Sequence, residues 1–334
     1  MYNRGKHFGL LTEIPAWLAA QSNIGVNQFL VPEHQPELLL VNDGSYRALD
    51  NICTHKQALL SEGQGALKQV IVCPIHKWTW ATNGCIRGAR GFQTDPTMNL
   101  RSHPITLWQG HMFTGSTHWL DNIAGLGDLS AYLDISKYQF HSRTRIEYQF
   151  SWQIFMEIFL DLYHVKSFHP GLRSLTDCDK FEWVFGEHWA CQTGGFKKEW
   201  PTESNYQALY KLYQSLGYYD TAQYGAVWLG IYPNIMIEYY PGCIVVSTIW
   251  PNGPGKSINH LEFYYESGLV ERCPEFPGVQ QRSFMVTADE DEQIGNAMQR
   301  GRSLYTGPRS SFNHPLEEAG YSQFYSWLDA RTGN

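Results

Sequence analysis

The sequence predicts an α+β chain: a small all-β module, then a larger domain of strands and a few long helices. Three observations carry this. Residues 28–120 read as short strands separated by turn residues. Beyond them, β-rich runs are interrupted by only a few helical stretches, near residues 151–170, 202–216 and 289–304, which argues against a doubly wound sheet. No glycine-rich dinucleotide loop stands between a strand and a helix, so nicotinamide binding by this chain is unsupported.

The 334 residues suffice for two domains. The preferred boundary is the polar, glycine-containing break at residues 121–128, DNIAGLGD. The expected organisation is an N-terminal segment, 1–27, packed on the larger domain; a β module, 28–120; and a second domain, 121–334. Lys plus Arg number 25 and Asp plus Glu 32, a net charge of −7 with no basic block. That argues against nucleic acid and anionic membranes as partners. No run approaches a membrane span and the N-terminus has no signal core, so the expected compartment is the cytoplasm. The seven cysteines are irregularly spaced, which favours metal ligation for some and burial for the rest over a disulfide framework.

In chain order, strands are expected at residues 29–31, at 38–42 before the Asp43-Gly44 turn, and at 46–49. Two more follow at 70–72 and 77–80, ahead of a turn at Asn83-Gly84. Residues 138–150 alternate like a strand. Residues 202–216 form an amphipathic helix with Thr202 as N-cap and Gly217 as the stop. Residues 227–249 hold β-rich runs broken at Pro233-Asn234 and Pro241-Gly242, 261–265 add a strand, and 289–304 close the pattern as a helix.

Two constellations carry chemistry. The β module holds Cys53-Thr54-His55 and, seventeen residues later, Cys73-Pro74-Ile75-His76. Two thiolates and two imidazoles on paired loops suit a [2Fe–2S] cluster with cysteines on one iron and histidines on the other. Structural zinc accepts the same ligands, but its finger spacings pair like with like. The second constellation is SWQIFMEIFLDLYHVKSFHP, residues 151–170, which sets Glu157, Asp161, His164 and His169 in an apolar run. On a helix Asp161 and His164 share a face. His169 precedes Pro170, where a helix is biased to break. Two imidazoles and a carboxylate there suggest a metal site, although lone histidines in apolar helices are commonly hydrogen-bonded core residues.

Together the two constellations resemble the large (α) subunit of Rieske non-heme iron oxygenases, such as the aromatic-ring-hydroxylating dioxygenases. The Cys-x-His and Cys-x-x-His pair looks like the Rieske motif. Trp152, Glu157, Asp161-Leu162-Tyr163-His164 and His169-Pro170 follow the pattern near the mononuclear iron. The family often reads Cys-Pro-His-Arg-Gly and Cys-Pro-Tyr-His-Gly-Trp where this chain has Cys53-Thr54-His55-Lys56-Gln57 and Cys73-Pro74-Ile75-His76-Lys77-Trp78. All four ligands survive. Respiratory-chain Rieske proteins carry an extra cysteine in each loop, but Ala58 and Ile75 stand there.

The resemblance implies a helix-grip (START-like) catalytic domain, in which an antiparallel sheet wraps a long helix. It implies a Rieske cluster on Cys53, His55, Cys73 and His76, and a mononuclear Fe(II) on His164, His169 and Asp291, with Asp289 in reserve. Residues 289–292 alone could equally be an acidic helix start favoured by the dipole. The resemblance gives Asp161 a bridging role, hydrogen-bonded between the Rieske histidine of one subunit and the iron-bound histidine of the next in a head-to-tail homotrimer. A small β subunit could accompany it. The implied function is a terminal oxygenase fed by a separate reductase or ferredoxin, with NAD(P)H acting only through that partner. O₂ would hydroxylate, dihydroxylate or demethylate a small organic substrate. Trp183, Trp189, Trp228 and Tyr232 could line a pocket for an aromatic ring or a methylated ammonium, or be core residues. The alternative is a Rieske electron carrier without oxygenase activity; a second is a zinc-stabilised binding protein. Cys85, Cys178, Cys191, Cys243 and Cys273 read as buried small hydrophobes, and Glu157 as a buried acid or a structural residue.

Overall fold

A computed structural model describes residues 14–94, 96–307 and 313–332. The chain divides into two compact units: Pro15–Thr117, and the described residues from His118 onward together with Ile14.

The first unit is all-β. Its strands are β1 Pro15–Ala20, β2 Gln28–Leu30, β3 Leu38–Asn42, β4 Tyr46–Asp50, β5 Gln64–Ala66 and β6 Val70–Val72. They continue with β7 Thr79–Ala81, β8 Ile86–Gly88, β9 Ser102–His103, β10 Thr106–Trp108 and β11 His111–Gly115. Three antiparallel sheets result, in the orders β5-β2-β3-β4-β9, β6-β7-β8 and β1-β11-β10. The unit begins earlier than the sequence suggested because β1, an apolar run, pairs with β11 along its length. Residues 15–27 are therefore part of the β unit, not of a segment on the larger domain. Residues 1–13 lie outside the described residues, and Ile14 packs in the second unit's core. Cys85 departs from the expected burial: it is exposed, in the tight turn where its N–H donates to Asn83 Oδ1 at 3.1 Å.

The second unit is α+β. It starts with β12 Tyr138–Tyr148, then α1 Trp152–Phe159, α2 Val165–Phe168, α3 Leu172–Leu175, β13 Thr176–Phe185 and β14 Trp189–Phe196. Next come α4 Ser204–Ser215, α5 Tyr218–Thr221, β15 Tyr224–Ile231, β16 Ile235–Tyr240, β17 Cys243–Pro251 and β18 Ser257–Glu266. It closes with α6 Leu269–Arg272, α7 Phe276–Leu304 and α8 Ala319–Thr332. The seven strands form one antiparallel sheet in the order β12-β18-β17-β16-β15-β14-β13. On one face Phe276 and Val279 of α7 pack with Val245, Leu261, Phe263 and Tyr265. On the other, Tyr132 of the 3₁₀ segment Ile123–Leu133 packs its ring on Tyr224 and Tyr239, 5.1 and 5.0 Å between centroids. Coverage on both faces explains why β15 to β18 are buried along nearly their whole length instead of at alternate residues. None of the described helices is long and apolar enough to cross a membrane.

Several expected elements move. α4 starts at Ser204 with Glu203, not Thr202, in the N-cap position, while Gly217 does end it, taking φ +83°. α7 is 29 residues long and begins thirteen residues before the expected 289. Its first half buries Gln280 and Ser283 with Phe276 and Val279, so it shows no clean apolar periodicity. Residues 151–170 are not one helix: α1 ends at Phe159 and the chain passes through a turn before α2.

Candidate metal centres and substrate cavity

In the β unit, both cysteine–histidine loops fold alike. Gln57 N–H donates to Cys53 O at 2.9 Å and Lys77 N–H to Cys73 O at 3.2 Å. Cys53 N–H donates to Ala58 O and Cys73 N–H to Trp78 O, each at 2.8 Å. Gln57 and Lys77 take φ +55° and +61° at matching positions, the places where the family pattern has glycine. Each left-handed residue costs about 1 kcal/mol, borne by the surrounding hydrogen bonds. Cys53 and Cys73 are buried, and Cys73 lies close enough to Cys53 to disfavour ionisation of the Cys53 thiol. Burial raises the Cys53 thiol pKa, and the backbone N–H groups of His55 and Lys56, which donate to its sulfur, oppose that rise. The His55 and His76 rings lie 4.9 Å apart, and His55 stacks on Trp78 at 4.7 Å. Desolvation, His76 and Lys56 hold the His55 pKa below its ordinary value, favouring the neutral imidazole that ligates metals. Its Nδ1 is buried without a hydrogen-bond partner.

These donors do not converge on a single point. Among the described residues, the one group of three that brings its ligand atoms within 4.8 Å of one another is His164, His169 and Asp291. A tetrahedral zinc site would gather both cysteines and both histidines about one ion. Adjacent sulfurs, adjacent imidazoles and an orphaned ring nitrogen fit a two-iron cluster instead.

The second centre is built at a break in the chain. Ser151 Oγ caps α1, accepting from Ile154 N–H at 3.4 Å. Two residues past the end of α1, Asp161 holds the chain out of the helix: its Oδ1 accepts from Tyr163 N–H at 2.6 Å and His164 N–H at 3.4 Å. A short carboxylate competes for backbone donors in this way. His164 opens α2, and His169 closes it with φ −112° and ψ 76°, non-helical before Pro170. Gly171 follows where a Cβ would come within 2.2 Å of the Tyr206 ring, so only glycine permits that approach. α7 supplies Glu290 and Asp291.

The geometry is that of two imidazoles aimed at a common point. His164 Nε2 lies 3.0 Å from His169 Nε2, and Asp291 Oδ1 lies 3.4 and 3.0 Å from them. The outer nitrogens face carboxylates: Asp161 Oδ2 is 3.1 Å from His164 Nδ1, and Glu290 Oε2 is 2.7 Å from His169 Nδ1. A proton on each Nδ1 leaves both Nε2 lone pairs and a carboxylate oxygen facing one another. All three are acceptors, an arrangement a cation satisfies. Burial works against charge on His164, but Asp161 and Asp291 outweigh it and raise its pKa to about 9. His169 is raised too, against burial, by Asp291 and Glu290. Asp291 stays below the usual carboxylate range because the two imidazoles overcome its desolvation. Two histidines and one carboxylate leave the opposite side of a metal open, as oxygen-activating Fe(II) sites do.

That open side faces a cavity of ≈ 120 Å³ lined by His164, His169 and Asp291 together with mostly apolar and aromatic groups. Of the four aromatic residues offered by the sequence, only Trp228 lines it. Trp189 and Tyr232 are fully buried, with Tyr232 donating to Gln323, and Trp183 stacks on Phe185 and donates to Leu316 O at 2.9 Å. Tyr232 is core because Phe324 and Trp327 of α8 pack against it, and Trp183 is half-buried against the same cluster. The residues that do line the cavity with Trp228 include Tyr206, Tyr213, Tyr240 and Phe284. Sequence reasoning missed two acids. Glu290, which orients His169, was hidden in an acidic run; Glu238, in the cavity wall, carries no local signal. Glu157 has a structural role: Arg302 and Tyr325 grip its buried carboxylate, tying α1 to α7 and α8.

Comparison with known proteins agrees with this geometry. The Rieske [2Fe-2S] domain family matches residues 18–104, and the ring hydroxylating alpha subunit (catalytic domain) family matches residues 135–334. The chain is 34% identical to putrescine 2-hydroxylase of Ralstonia nicotianae over 312 residues, covering 91% of this chain and 84% of that protein. Putrescine 2-hydroxylase of Bordetella bronchiseptica is 31% identical, covering 89% of this chain and 74% of its own. A solved quaternary ammonium Rieske monooxygenase superposes with a TM-score of 0.77 at 18% identity, covering 98% of this chain and 91% of that one, a likeness of fold.

Proposed function

The chain belongs to the ring-hydroxylating alpha subunits of Rieske oxygenases, and on that premise we propose that it hydroxylates a small aliphatic amine at an iron held by His164, His169 and Asp291. It is a terminal oxygenase, a Rieske non-heme iron enzyme that takes electrons from a reductase or ferredoxin and uses O₂. The convergence of His164, His169 and Asp291 at the wall of a cavity is the observation that carries the site assignment. The amine reading is supported by the two putrescine 2-hydroxylases, each more than 30% identical over most of the chain.

The bound groups supply one-electron transfer at the cluster and O₂ activation at the mononuclear iron. The protein's own residues do the rest. Cys53, His55, Cys73 and His76 are the residues proposed to hold the cluster. Glu290 accepts the Nδ1 proton of His169, and the Asp161 carboxylate lies 3.1 Å from His164 Nδ1 as its ion-pair partner; both favour the orientation in which Nε2 would ligate an iron. The apolar cavity wall excludes bulk water from the reacting face. We further propose a head-to-tail homotrimer in which Asp161 links the iron-bound His164 to a Rieske histidine of the neighbouring subunit. The electron-carrier alternative has no use for a catalytic domain with this triad.

The test is reconstitution with a reductase. Metal analysis should give about three irons per chain. Coupled O₂ uptake should be stimulated by linear diamines and monoamines above aromatic acids. Iron confined to the cluster, or stimulation by aromatic acids alone, would overturn the assignment.

A further inference from the structure

A carboxylate buried in a protein needs a cation or several donors beside it. Two buried acids of the catalytic unit have theirs: Glu157 has Arg302 and Tyr325, and Glu262 has Arg143 and Tyr264. Glu238 does not. It is 8% exposed, and its Oε2 accepts one hydrogen bond, from Tyr240 OH at 2.8 Å. Among the described residues no lysine, arginine or histidine pairs with it, and its other oxygen receives no hydrogen bond. Trp228 Nε1–H donates to the Tyr240 oxygen at 3.0 Å, which leaves the phenol proton free to point at Glu238. Glu238 stands mid-strand, opposite Trp228 on β15 and Val245 on β17, so it is rigidly held. Glu238, Trp228 and Tyr240 line the same cavity as the metal triad.

We propose that Glu238 anchors the protonated primary amine of the substrate and makes the cavity prefer a primary over a quaternary ammonium. This rests on the amine reading above. A primary ammonium brings three N–H donors to an oxygen that lacks one, whereas a quaternary ammonium brings none. The Trp228 and Tyr240 rings add attraction for the cation, and Leu162, Leu261 and Phe284 suit the methylene chain. A neutral aromatic substrate would leave the carboxylate buried and unpaired. Burial, with the charge of Asp291 added, pushes the Glu238 carboxyl up to about 7 despite the Tyr240 hydrogen bond. An ammonium arriving beside it favours the ionised form.

The experiment is calorimetric binding to the iron-loaded holoenzyme, using 1,4-diaminobutane, butylamine and trimethylbutylammonium as probes. Wild type should bind the two primary amines at least about tenfold more tightly than the quaternary analogue. Glu238→Gln should weaken primary-amine binding at least about 50-fold and close that gap, with iron content and cluster spectrum unchanged. Primary amines bound within threefold of wild type by the variant, equal or better wild-type binding of the quaternary analogue, or no wild-type binding of any amine would each overturn the proposal. Turnover is read separately. Amine binding that depends on Glu238 but never stimulates O₂ uptake would sink the hydroxylase reading and leave the anchor standing. Amine turnover with an unchanged KM in Glu238→Gln would do the reverse.

Discussion

The two candidate metal centres are assembled in opposite ways. In the β unit all four donors come from two loops of matching shape, each closed by its own backbone hydrogen bonds. In the catalytic unit His164 and His169 come from one helix break, while Asp291 arrives from a helix 122 residues further on than His169. The first centre is a product of local geometry. The second exists only once α7 has packed against the sheet and α1. Local assembly makes a centre legible and robust to change elsewhere; distant assembly makes it depend on the whole core.

Several substitutions would break or sharpen that contrast. The largest effect belongs to Cys73→Ser. It should remove the cluster, about two of about three irons, and lower reductase-coupled turnover beyond about 10³-fold, while leaving the mononuclear iron in place. Visible spectra with metal analysis check this; an intact Rieske spectrum would refute the ligand assignment.

Asp291→Asn should lose the single iron and cut turnover by at least about 10³-fold with the cluster spectrum preserved. The same change at Asp289 should leave iron content intact. Equal losses at both positions would mean that α7 contributes general negative charge and not a ligand.

Asp161→Ala tests the link between centres. Iron content should hold, yet steady-state turnover should fall about 10- to 100-fold. Rapid-mixing measurement of cluster oxidation would locate the loss in electron transfer, and normal turnover would remove the bridging role.

A pH effect should also appear at the triad. In the metal-free protein His164 titrates near 9, raised from its ordinary value by Asp161 and Asp291 against burial. Iron must displace that proton, so apparent iron affinity should fall as pH drops below about 9, by about tenfold per pH unit where His164 alone titrates and more steeply once His169 is protonated too, and level off above it. The same proton adds stability to the metal-free protein that is fully present below about 6.5 and lost as pH rises through about 9. Thermal melts with and without iron across that range check both signs.

The smallest effect tests the local centre. Gln57 is held at φ +55°. Gln57→Gly should relieve that strain, less the extra entropy of glycine in the unfolded chain, for a net gain of about 0.5 kcal/mol. A rise of a few degrees in the melting temperature of the β unit is the expected reading.

The Cys-x-His and Cys-x-x-His loops were legible because a cluster fixes donor spacing within a few residues. His164 and His169 were legible for the same reason, although the continuous helix imagined for them was not there: Asp161 draws backbone N–H groups to its own carboxylate and ends it. Asp291 could not be told from Asp289 by position alone, since both lie in one acidic run on α7. Trp183, Trp189 and Tyr232 could have been pocket or core residues; Trp189 and Tyr232 are core and Trp183 packs half-buried against it, because an aromatic side chain has the same residue-level signature in either place. Strands β13 and β14 and helix α8 were unread, and with them the reason those rings are covered.

By itself the sequence pointed to a two-part chain and singled out the four proposed cluster donors and the two proposed iron-binding histidines, all of which rest on spacing along the chain. Tertiary structure brought Asp291, favoured over Asp289 by the resemblance, to the two histidines, and it alone decided which carboxylate faces His169 Nδ1 and which acid stands in the cavity without a cation. The physical reason is that a carboxylate's role depends on what faces it. Glu157, Glu238 and Glu262 are one residue type; two meet arginine, and the third meets the cavity beside the metal triad.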